Sequence, residues 1–274
     1  MSAQEDTRDR MLAHYEKAGA LERILAGWRA MGGAPEALAA VDEFHIRGPM
    51  ATKMLLDRLD LPPDARFLDV GSGLGGPARA LAKQKGYRVT GLDLSASYCE
   101  IATELSCQVG LADTTGFQCQ DVADHDGIYD GAWTLHVGMN VQDKEGFYRA
   151  IRRRLKPGAP FIVYDMFRGD GPAPRYPMPW ADTAADSHLE RRELVEEALS
   201  SAGFEIVDRD DDTEKAAAFM AKAVGKAQSA GGPPPLGLHL VLGPVFAEIA
   251  PNLLHNLSSG AMRVGVIVCR RRMG

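Results

Sequence analysis

The sequence predicts an α/β fold in which a largely parallel sheet carries helices on both faces. Between residues 66 and 210, short apolar runs of strand length alternate with amphipathic stretches of helix length. This alternation is typical of βα units, whose connecting helices cover a parallel sheet. The first run ends in a glycine-rich turn at 69–76, which marks a direct passage from strand to helix. With 274 residues and 45% apolar composition, the chain can bury a core of this kind.

The segment before the first strand predicts helices. Apolar residues recur at spacings of three and four from residue 11 until Gly32-Gly33 ends the pattern. A second helix is predicted over about 49–60, where Pro62-Pro63 stops it. We therefore expect residues 1–60 to form a helical cap that covers the sheet or its ligand.

The core is predicted to span 61–212. Its strands are expected over 66–70, 87–92, 116–120, 129–135, 160–166 and 205–210. Its helices are expected over about 77–86, 97–111, 143–155 and 190–202.

The regular alternation stops after residue 212. The insertion 213–260 predicts two helices, 215–228 and about 239–257, separated by a Gly-Gly-Pro-Pro-Pro breaker. A last strand is expected within 261–274. We expect the insertion and the Pro-rich piece 171–179 to form a helical lid over the active face.

The overall composition argues against polyanionic partners and membrane insertion. The net charge is −6, which gives no basic surface for nucleic acid or anionic lipid. The N-terminus is acidic, and no apolar run approaches the roughly 20 residues of a membrane span. The four cysteines form no Cys-x-x-Cys pair, so reduced thiols and no metal site are expected. These features predict a cytoplasmic monomer or homodimer that acts on a small molecule.

The glycine-rich turn predicts a site for a nucleotide-like cofactor. Gly71, Gly73 and Gly75 permit positive φ and leave room beside the backbone, and the next helix offers free N–H groups. Gly71-x-Gly73-x-x-Gly76 satisfies the dinucleotide pattern, whereas Asp69-x-Gly71-Ser72-Gly73-x-Gly75 fits the pattern of S-adenosylmethionine (SAM) sites. The turn alone does not distinguish these two cofactors.

Acidic residues after the next strands favour SAM. Asp93, followed by Leu94, ends the second strand, where a carboxylate accepts hydrogen bonds from both ribose hydroxyls. Asp121, followed by Val122, comes after the third strand and can hold the adenine amino group and ring. Asp69 adds a carboxylate that suits the ammonium group of a methionine moiety and would repel a pyrophosphate.

With these residues, the chain resembles the class I SAM-dependent methyltransferases. The matching motifs are Asp69 to Gly76, Asp93-Leu94-Ser95, Gln120-Asp121-Val122, Trp133-Thr134-Leu135-His136-Val137 and Leu155-Lys156-Pro157-Gly158. The resemblance covers about 44–210 and the last strand. It implies a Rossmann-like seven-stranded sheet of order 3-2-1-4-5-7-6 with the last strand antiparallel. It also implies SAM as methyl donor and S-adenosylhomocysteine (SAH) as product.

Three further segments, 42–52, 74–79 and 136–141, resemble a smaller branch of this class. That branch includes sarcosine and dimethylglycine methyltransferases and related small-molecule enzymes. The resemblance implies a small-molecule acceptor, for which an amine such as sarcosine or dimethylglycine is one candidate.

His136 is the candidate catalytic residue. It follows the fourth strand at the edge where open α/β sheets bind ligands. An imidazole with a pKa near 6.5 can accept a proton at neutral pH, and a histidine that only pins its own loop is the alternative. His45 is expected to contact the cofactor, with Arg47 beside it, and capping of the next helix is the alternative role for both.

Several other side chains have a functional and a structural interpretation. Tyr176, Met178 and Trp180 could surround an ammonium group or pack the lid against the sheet, and packing is favoured slightly. Tyr15 and Trp28 are expected in the core. His239 and His255 are expected in the core or at the surface of the insertion, and the charge run 210–212 is expected to be solvated.

The leading hypothesis is methyl transfer to a small nucleophile, which requires alignment and exclusion of water more than acid–base groups. A nicotinamide-dependent oxidoreductase is one alternative, but the strand ends carry no Tyr-x-x-x-Lys pair, and Asp69 and Asp121 would have no role. A non-catalytic SAM-binding protein is the other.

Overall fold

The computed structural model describes residues 19–230 and 232–273, which form a seven-stranded sheet with its covering helices. The strands are β1 (Arg66–Val70), β2 (Arg88–Asp93), β3 (Thr115–Cys119), β4 (Gly131–Leu135), β5 (Pro160–Arg168), β6 (Phe204–Asp211) and β7 (Met262–Arg271). The helices are α1 (Ala20–Ala30), α2 (Ala39–Asp42), α3 (Pro49–Leu56), α4 (Gly76–Lys85), α5 (Ala96–Gln108), α6 (Lys144–Arg153), α7 (Arg192–Ser201), α8 (Thr213–Ser229), α9 (His239–Leu242) and α10 (Phe246–Ser258).

The sheet has the order β3-β2-β1-β4-β5-β7-β6, as predicted. β1 to β5 pair in parallel, and β7 is antiparallel to both β5 and β6. Val70 lies opposite Leu92 of β2 and Thr134 of β4. The chain therefore leaves three adjacent strands at one edge of the sheet, which brings the segments after residues 70, 93 and 135 together.

The two faces of the sheet are covered by different helices because successive strand residues point to opposite sides. Phe67 packs in an apolar cluster with Leu55 of α3 and Leu81 of α4. Its neighbour Leu68 packs in a second cluster with Tyr148 of α6 and Leu199 of α7. This burial on both faces matches the predicted α/β architecture.

The lid differs from the sequence prediction at its second helix. The predicted helix 239–257 is divided into α9 and α10 by a 3₁₀ turn, Gly243–Val245. Gly243 has a φ of +72°, and Pro244 lacks the N–H that would continue the helical hydrogen bonds. The predicted helix from residue 11 is observed from Ala20, and Tyr15 lies outside the described residues.

A buried ion pair attaches the cap to the core. Arg79 Nη2 of α4 lies 2.6 Å from Asp42 Oδ2, and both residues are 6% exposed. The same nitrogen donates to the carbonyl of Leu74 at 2.6 Å. A Cβ atom on Gly76 would lie 2.5 Å from the carbonyl oxygen of Asp42, so the approach of the two segments requires glycine there.

The cap also packs directly on the lid. Ile24 and Trp28 of α1 share an apolar cluster with Leu236 and Val241 of the lid. A Cβ atom on Gly27 would lie 2.2 Å from the carbonyl oxygen of Pro235, so α1 and the lid backbone are in close contact. Cap and lid therefore meet over the sheet edge.

Asp212 joins cap, sheet and lid. Its carboxylate is fully buried, lies 2.5 Å from Arg47 Nη1 and accepts a hydrogen bond from Tyr164 Oη of β5 at 2.9 Å. The next residue begins α8. The interpretation of 210–212 as a solvated charge run is therefore wrong for Asp212, because Arg47 compensates its charge inside the protein.

The division into cap, core, lid and last strand stays a prediction.

Across the described residues, every helix is too short or too polar to cross a bilayer.

Removal of the buried cation at Arg79 should destabilise the fold strongly. Arg79→Met leaves the Asp42 carboxyl buried without its charged partner, so we expect the free energy of unfolding to fall by about 3–5 kcal/mol. Urea denaturation measures this loss. Lys83→Met is the matched control on the same helix, because its pair with Glu36 is exposed and should leave the urea midpoint near that of the wild type. Equal midpoints for the two variants would contradict this role of Arg79.

Candidate active site

A cavity of about 990 Å³ opens at the sheet edge where β1, β2 and β4 end. The cap segment 39–49 and the turn after β1 form one part of its wall. Lid residues between 219 and 253 form another part. The volume lies at the upper end of the range of about 300–1,000 Å³ for ligand pockets. The cavity therefore has room for a second ligand group beside a nucleoside.

The glycine turn forms the floor of this cavity. Gly71 and Gly73 have φ values of +77° and +52°, and both line the cavity together with Ser72. A Cβ atom on Gly71 would lie 2.2 Å from Val137 Cγ2, so this position has no space for a side chain. Gly75, a predicted cofactor residue, precedes α4 with a φ of +79° and does not line the cavity. Its contribution is to the start of α4.

Asp93 connects the glycine turn to β2. Its Oδ2 accepts a hydrogen bond from Gly73 N at 2.8 Å, and its Oδ1 accepts one from Ser95 N at 3.0 Å. Burial raises the pKa of this carboxyl, and the backbone donors oppose that rise. A carboxylate oxygen can accept two hydrogen bonds, so Asp93, which lines the cavity, keeps acceptor capacity for ligand hydroxyls.

Asp69 and Ser72 carry buried polar atoms that a ligand can satisfy. Asp69 is 2% exposed and lines the cavity, and its Oδ2 has no hydrogen-bond partner among the described residues. The same holds for Ser72 Oγ. Burial raises the pKa of Asp69 to about 7; the Trp133 indole opposes this rise and the nearby Asp93 charge adds to it. A ligand group that reaches these atoms and donates a hydrogen bond, or carries a positive charge, would therefore be stabilised.

Asp121 and Val122 lie on the cavity wall with Leu94. Asp121 Oδ1 accepts a hydrogen bond from Ala123 N at 2.9 Å, which fixes the carboxylate at the end of β3. The predicted adenine-contacting side chains therefore line the same cavity as Asp93.

His136 is held in a constrained position on the cavity wall. It has a φ of +55°, which is rare for a residue other than glycine, and its N–H donates to the carbonyl of Tyr164 at 2.8 Å. Its ring stacks on the Tyr164 ring at a centroid distance of 5.2 Å. Nε2 is buried and has no partner among the described residues. Burial lowers the pKa of His136 well below its ordinary value, and electrostatic repulsion from the neighbouring His45 adds a smaller decrease. The imidazole is therefore neutral at pH 7.

His45 of the cap lies beside His136, with a distance of 6.1 Å between the ring centroids. Its Nε2 lies 3.0 Å from the carbonyl oxygen of Gly48, which only accepts, so this nitrogen is the donor. Nε2 also lies 3.1 Å from Thr52 Oγ1 and 3.3 Å from Glu43 Oε2. Burial lowers the pKa of His45 to about 4 and raises that of Glu43 to about 8, so both side chains are neutral at pH 7.

The aromatic segment after β5 lies only partly on the cavity. Trp180 lines it and donates from Nε1 to Ser187 Oγ at 2.9 Å. Met178 is fully buried in the core, and Tyr176 packs against the same cluster away from the cavity. These three side chains therefore do not form a shared cage around a ligand.

Arg47, a candidate for ligand contact, instead pairs with Asp212 behind the wall. Trp28 lies in the core as predicted. Of the two lid histidines, His239 lines the cavity and His255 does not.

His188 is a wall residue that sequence reasoning missed. Its backbone N donates to the carbonyl of Met139 at 2.8 Å, and its side-chain Nε2 is buried without a partner among the described residues. It stands in an irregular loop with no motif around it, so no local signal pointed to it. Among the described residues, no three His, Cys, Asp or Glu side chains are grouped to hold a metal ion.

Comparisons with known proteins identify methyltransferases as similar in sequence and fold. Residues 68–163 match the model of a family described as a methyltransferase domain. The 2-methyl-6-phytyl-1,4-hydroquinone methyltransferase of Synechocystis sp. is 36% identical over 110 residues, which cover 40% of this chain and 35% of that protein. The chain spans between about a third and just over half of the length of the curated relatives it matches.

Solved structures share the fold over nearly the whole chain. Phosphoethanolamine N-methyltransferase 2 of Haemonchus contortus, in complex with phosphomonomethylethanolamine and SAH, has a TM-score of 0.73 at 17% identity and covers 99% of this chain and 61% of its own. A protein described as a sarcosine dimethylglycine methyltransferase from Galdieria sulphuraria has a TM-score of 0.68 at 17% identity, with 92% and 99% covered. The predicted resemblance is confirmed. Residues 68–163 match a methyltransferase domain, and the sheet has the strand order that the resemblance to class I SAM-dependent methyltransferases implies.

Proposed function

We propose that this protein transfers a methyl group from SAM to a small-molecule acceptor. The observation that carries the proposal is that the glycine turn, Asp69, Asp93 and Asp121 line one cavity, to which the cap and the lid contribute further wall. When bound, SAM supplies an electrophilic methyl carbon that a nucleophile attacks directly. The chain's own task is then to align the acceptor and to exclude water.

Four of the predicted cofactor residues have specific roles in this proposal. Asp93 accepts hydrogen bonds from the ribose hydroxyls, in the orientation that Gly73 N and Ser95 N give it. Asp121 and Val122 hold the adenine group. Asp69, with its unpartnered oxygen, receives the ammonium group of the methionine moiety.

The two histidines have different roles. His45 lines the cap side of the cavity, and its Nε2 already donates a hydrogen bond to the carbonyl of Gly48. We therefore assign to His45 a contact with the carboxylate end of the cofactor that is made by the rest of its ring and not by Nε2. His136, whose Nε2 has no partner among the described residues, is the group we propose to meet the acceptor.

The acceptor of the related branch, an amine such as sarcosine, enters this proposal as one candidate. The protein is also proposed to act in the cytoplasm as a monomer or homodimer, without nucleic acid. The net charge of −6 and the free state of all four cysteines support this.

Calorimetric titration with SAM, SAH, NAD⁺ and NADH distinguishes the proposed function from its alternatives. We expect SAM and SAH to bind and the nicotinamide cofactors to remain unbound. Tight binding of NADH, with no binding of SAM, would instead identify an oxidoreductase. Binding of SAM without SAH production on a broad acceptor panel would identify a non-catalytic SAM-binding protein.

Loss of the Asp93 charge should weaken SAM binding. Asp93→Asn replaces a carboxylate that accepts charge-assisted hydrogen bonds, so we expect the Kd for SAM to rise by a factor that corresponds to about 1.5–3 kcal/mol. Calorimetry measures the change. Asp124→Asn is the control, because Asp124 is exposed and lies outside the cavity. An Asp93→Asn variant with wild-type affinity would mean that the ribose binds elsewhere.

SAM affinity should increase with pH between 6 and 8. Asp69 has a pKa of about 7, so it is mostly protonated at pH 6 and mostly ionised at pH 8. Only the ionised form attracts an ammonium group, so we expect the Kd at pH 6 to be roughly tenfold higher than at pH 8. Titrations at a series of pH values measure this slope, and Asp69→Asn should remove it. The same slope in the variant would assign the effect to another group.

A further inference from the structure

The lid wall suggests the chemical class of the acceptor. Resting on the proposed methyl transfer, we propose that the acceptor is an uncharged, largely hydrocarbon phenol. Its hydroxyl group faces His136, its hydrocarbon part lies against the lid, and its oxygen receives the methyl group.

The lid wall is almost entirely apolar. Its main side chains are Phe219, Met220, Leu242, Phe246, Ile249 and Leu253. Met166, Pro179 and Trp180 continue this surface from the segment around β5. Contact with such a surface stabilises hydrocarbon groups by about 25 cal/mol per Å² of buried apolar area. A small zwitterion such as sarcosine has little apolar area to bury and would gain little stabilisation from this wall.

The cavity offers no counter-charge to an anionic acceptor. Within the described part of the chain, no lysine or arginine lines it. An acceptor with a carboxylate or phosphate group would therefore lose its hydration without gaining a charged partner, which is costly inside a protein.

The carboxyl groups of the cavity do not favour a cationic acceptor either, because all of them belong to residues 42–143 and none to the lid. Asp42 is paired with Arg79, and Glu43 is neutral at pH 7 because burial raises its pKa to about 8. Asp143 caps α6 by accepting from Gly146 N. The others belong to the cofactor side.

Besides His239 on the lid, two further imidazoles line the cavity outside the cap, and burial lowers the pKa of His136 and of His188, so both are neutral at pH 7. The Nε2 atoms of His136 and His188 are buried, face no partner among the described residues and belong to cavity-lining side chains. An aliphatic amine, whose pKa is near that of lysine at about 10.4, would enter as a cation at neutral pH. A phenol has a pKa of about 10 and enters uncharged, with an O–H that an imidazole nitrogen can accept.

The proposed step is balanced in atoms and in charge. The phenolic oxygen forms a bond to the methyl carbon while the bond between sulfur and that carbon breaks. The electron pair of the broken bond stays on sulfur, which gives SAH. The phenolic proton passes to His136 Nε2 and then to solvent, so the products are a methyl ether, SAH and a proton.

A panel of acceptors tests this inference. SAH production is measured with 4-alkylphenols of increasing chain length, with alkylamines of the same lengths, and with sarcosine and phosphoethanolamine. We expect kcat/KM for the phenols to increase about fourfold per added methylene group until the lid wall is covered. Mass spectrometry should identify the methyl ether as the product.

Failure of the inference is distinguishable from failure of the proposed function. Binding of the longest alkylphenol to the SAH complex is measured separately by calorimetry. If the protein binds SAM but turns over sarcosine, phosphoethanolamine or an amine in preference to the phenols, the acceptor class is wrong. The same conclusion follows if the SAH complex does not bind the alkylphenol. If SAM itself does not bind, the proposed function is wrong.

A charge placed on the lid wall provides the matched variant. Met220→Lys puts an ammonium group into the apolar wall, whereas Ala221→Lys puts it on the exposed side of the same helix. We expect Met220→Lys to weaken alkylphenol binding at least tenfold with little change in the Kd for SAH, and Ala221→Lys to change neither. If Met220→Lys does not fold, as shown by lost SAH binding, the half-buried Phe219→Lys replaces it. Equal alkylphenol affinities in the charged-wall and control variants would overturn the inference.

Discussion

The parallel register of β1 with β2 and β4 is the constraint on which the whole site depends. It brings the segments after residues 70, 93 and 135 to one edge, where Gly71 N donates to the carbonyl of Leu92 at 2.8 Å. A side chain on Gly71 would collide with Val137, so the loops after β1 and β4 can close on each other only around glycine. The cofactor wall is therefore a direct product of the sheet topology.

The cap and the lid form the rest of the cavity wall, and buried ion pairs hold them in place. Asp42 and Arg79 attach the cap beside the glycine turn, and Arg47 and Asp212 attach it to the start of the lid. Tyr164 donates to Asp212 and also stacks on His136, so the anchor of the lid and the proposed acceptor-facing side chain share one aromatic ring. Buried pairs of this kind tolerate the loss of one partner poorly.

Sequence reasoning found the parts of the site that depend on local pattern. The turn at 69–76, Asp93 and Asp121 follow strand ends, and strand ends can be recognised from apolar runs and glycines. The burial of Asp212 could not be recognised in this way, because its partner Arg47 is 165 residues away in the chain. The wall position of His188 likewise depends on tertiary packing. The apolar lid wall, on which the proposed acceptor class depends, arises from the folding together of α8, α9 and α10.

A crystal structure of the complex with SAH tests the central claim most directly. The account predicts that the ribose hydroxyls lie within hydrogen-bond distance of Asp93, with the sulfur facing His136 and open space beyond it toward the lid wall. A nucleoside bound away from Asp93, or a sulfur atom that faces a wall with no space for an acceptor, would contradict it.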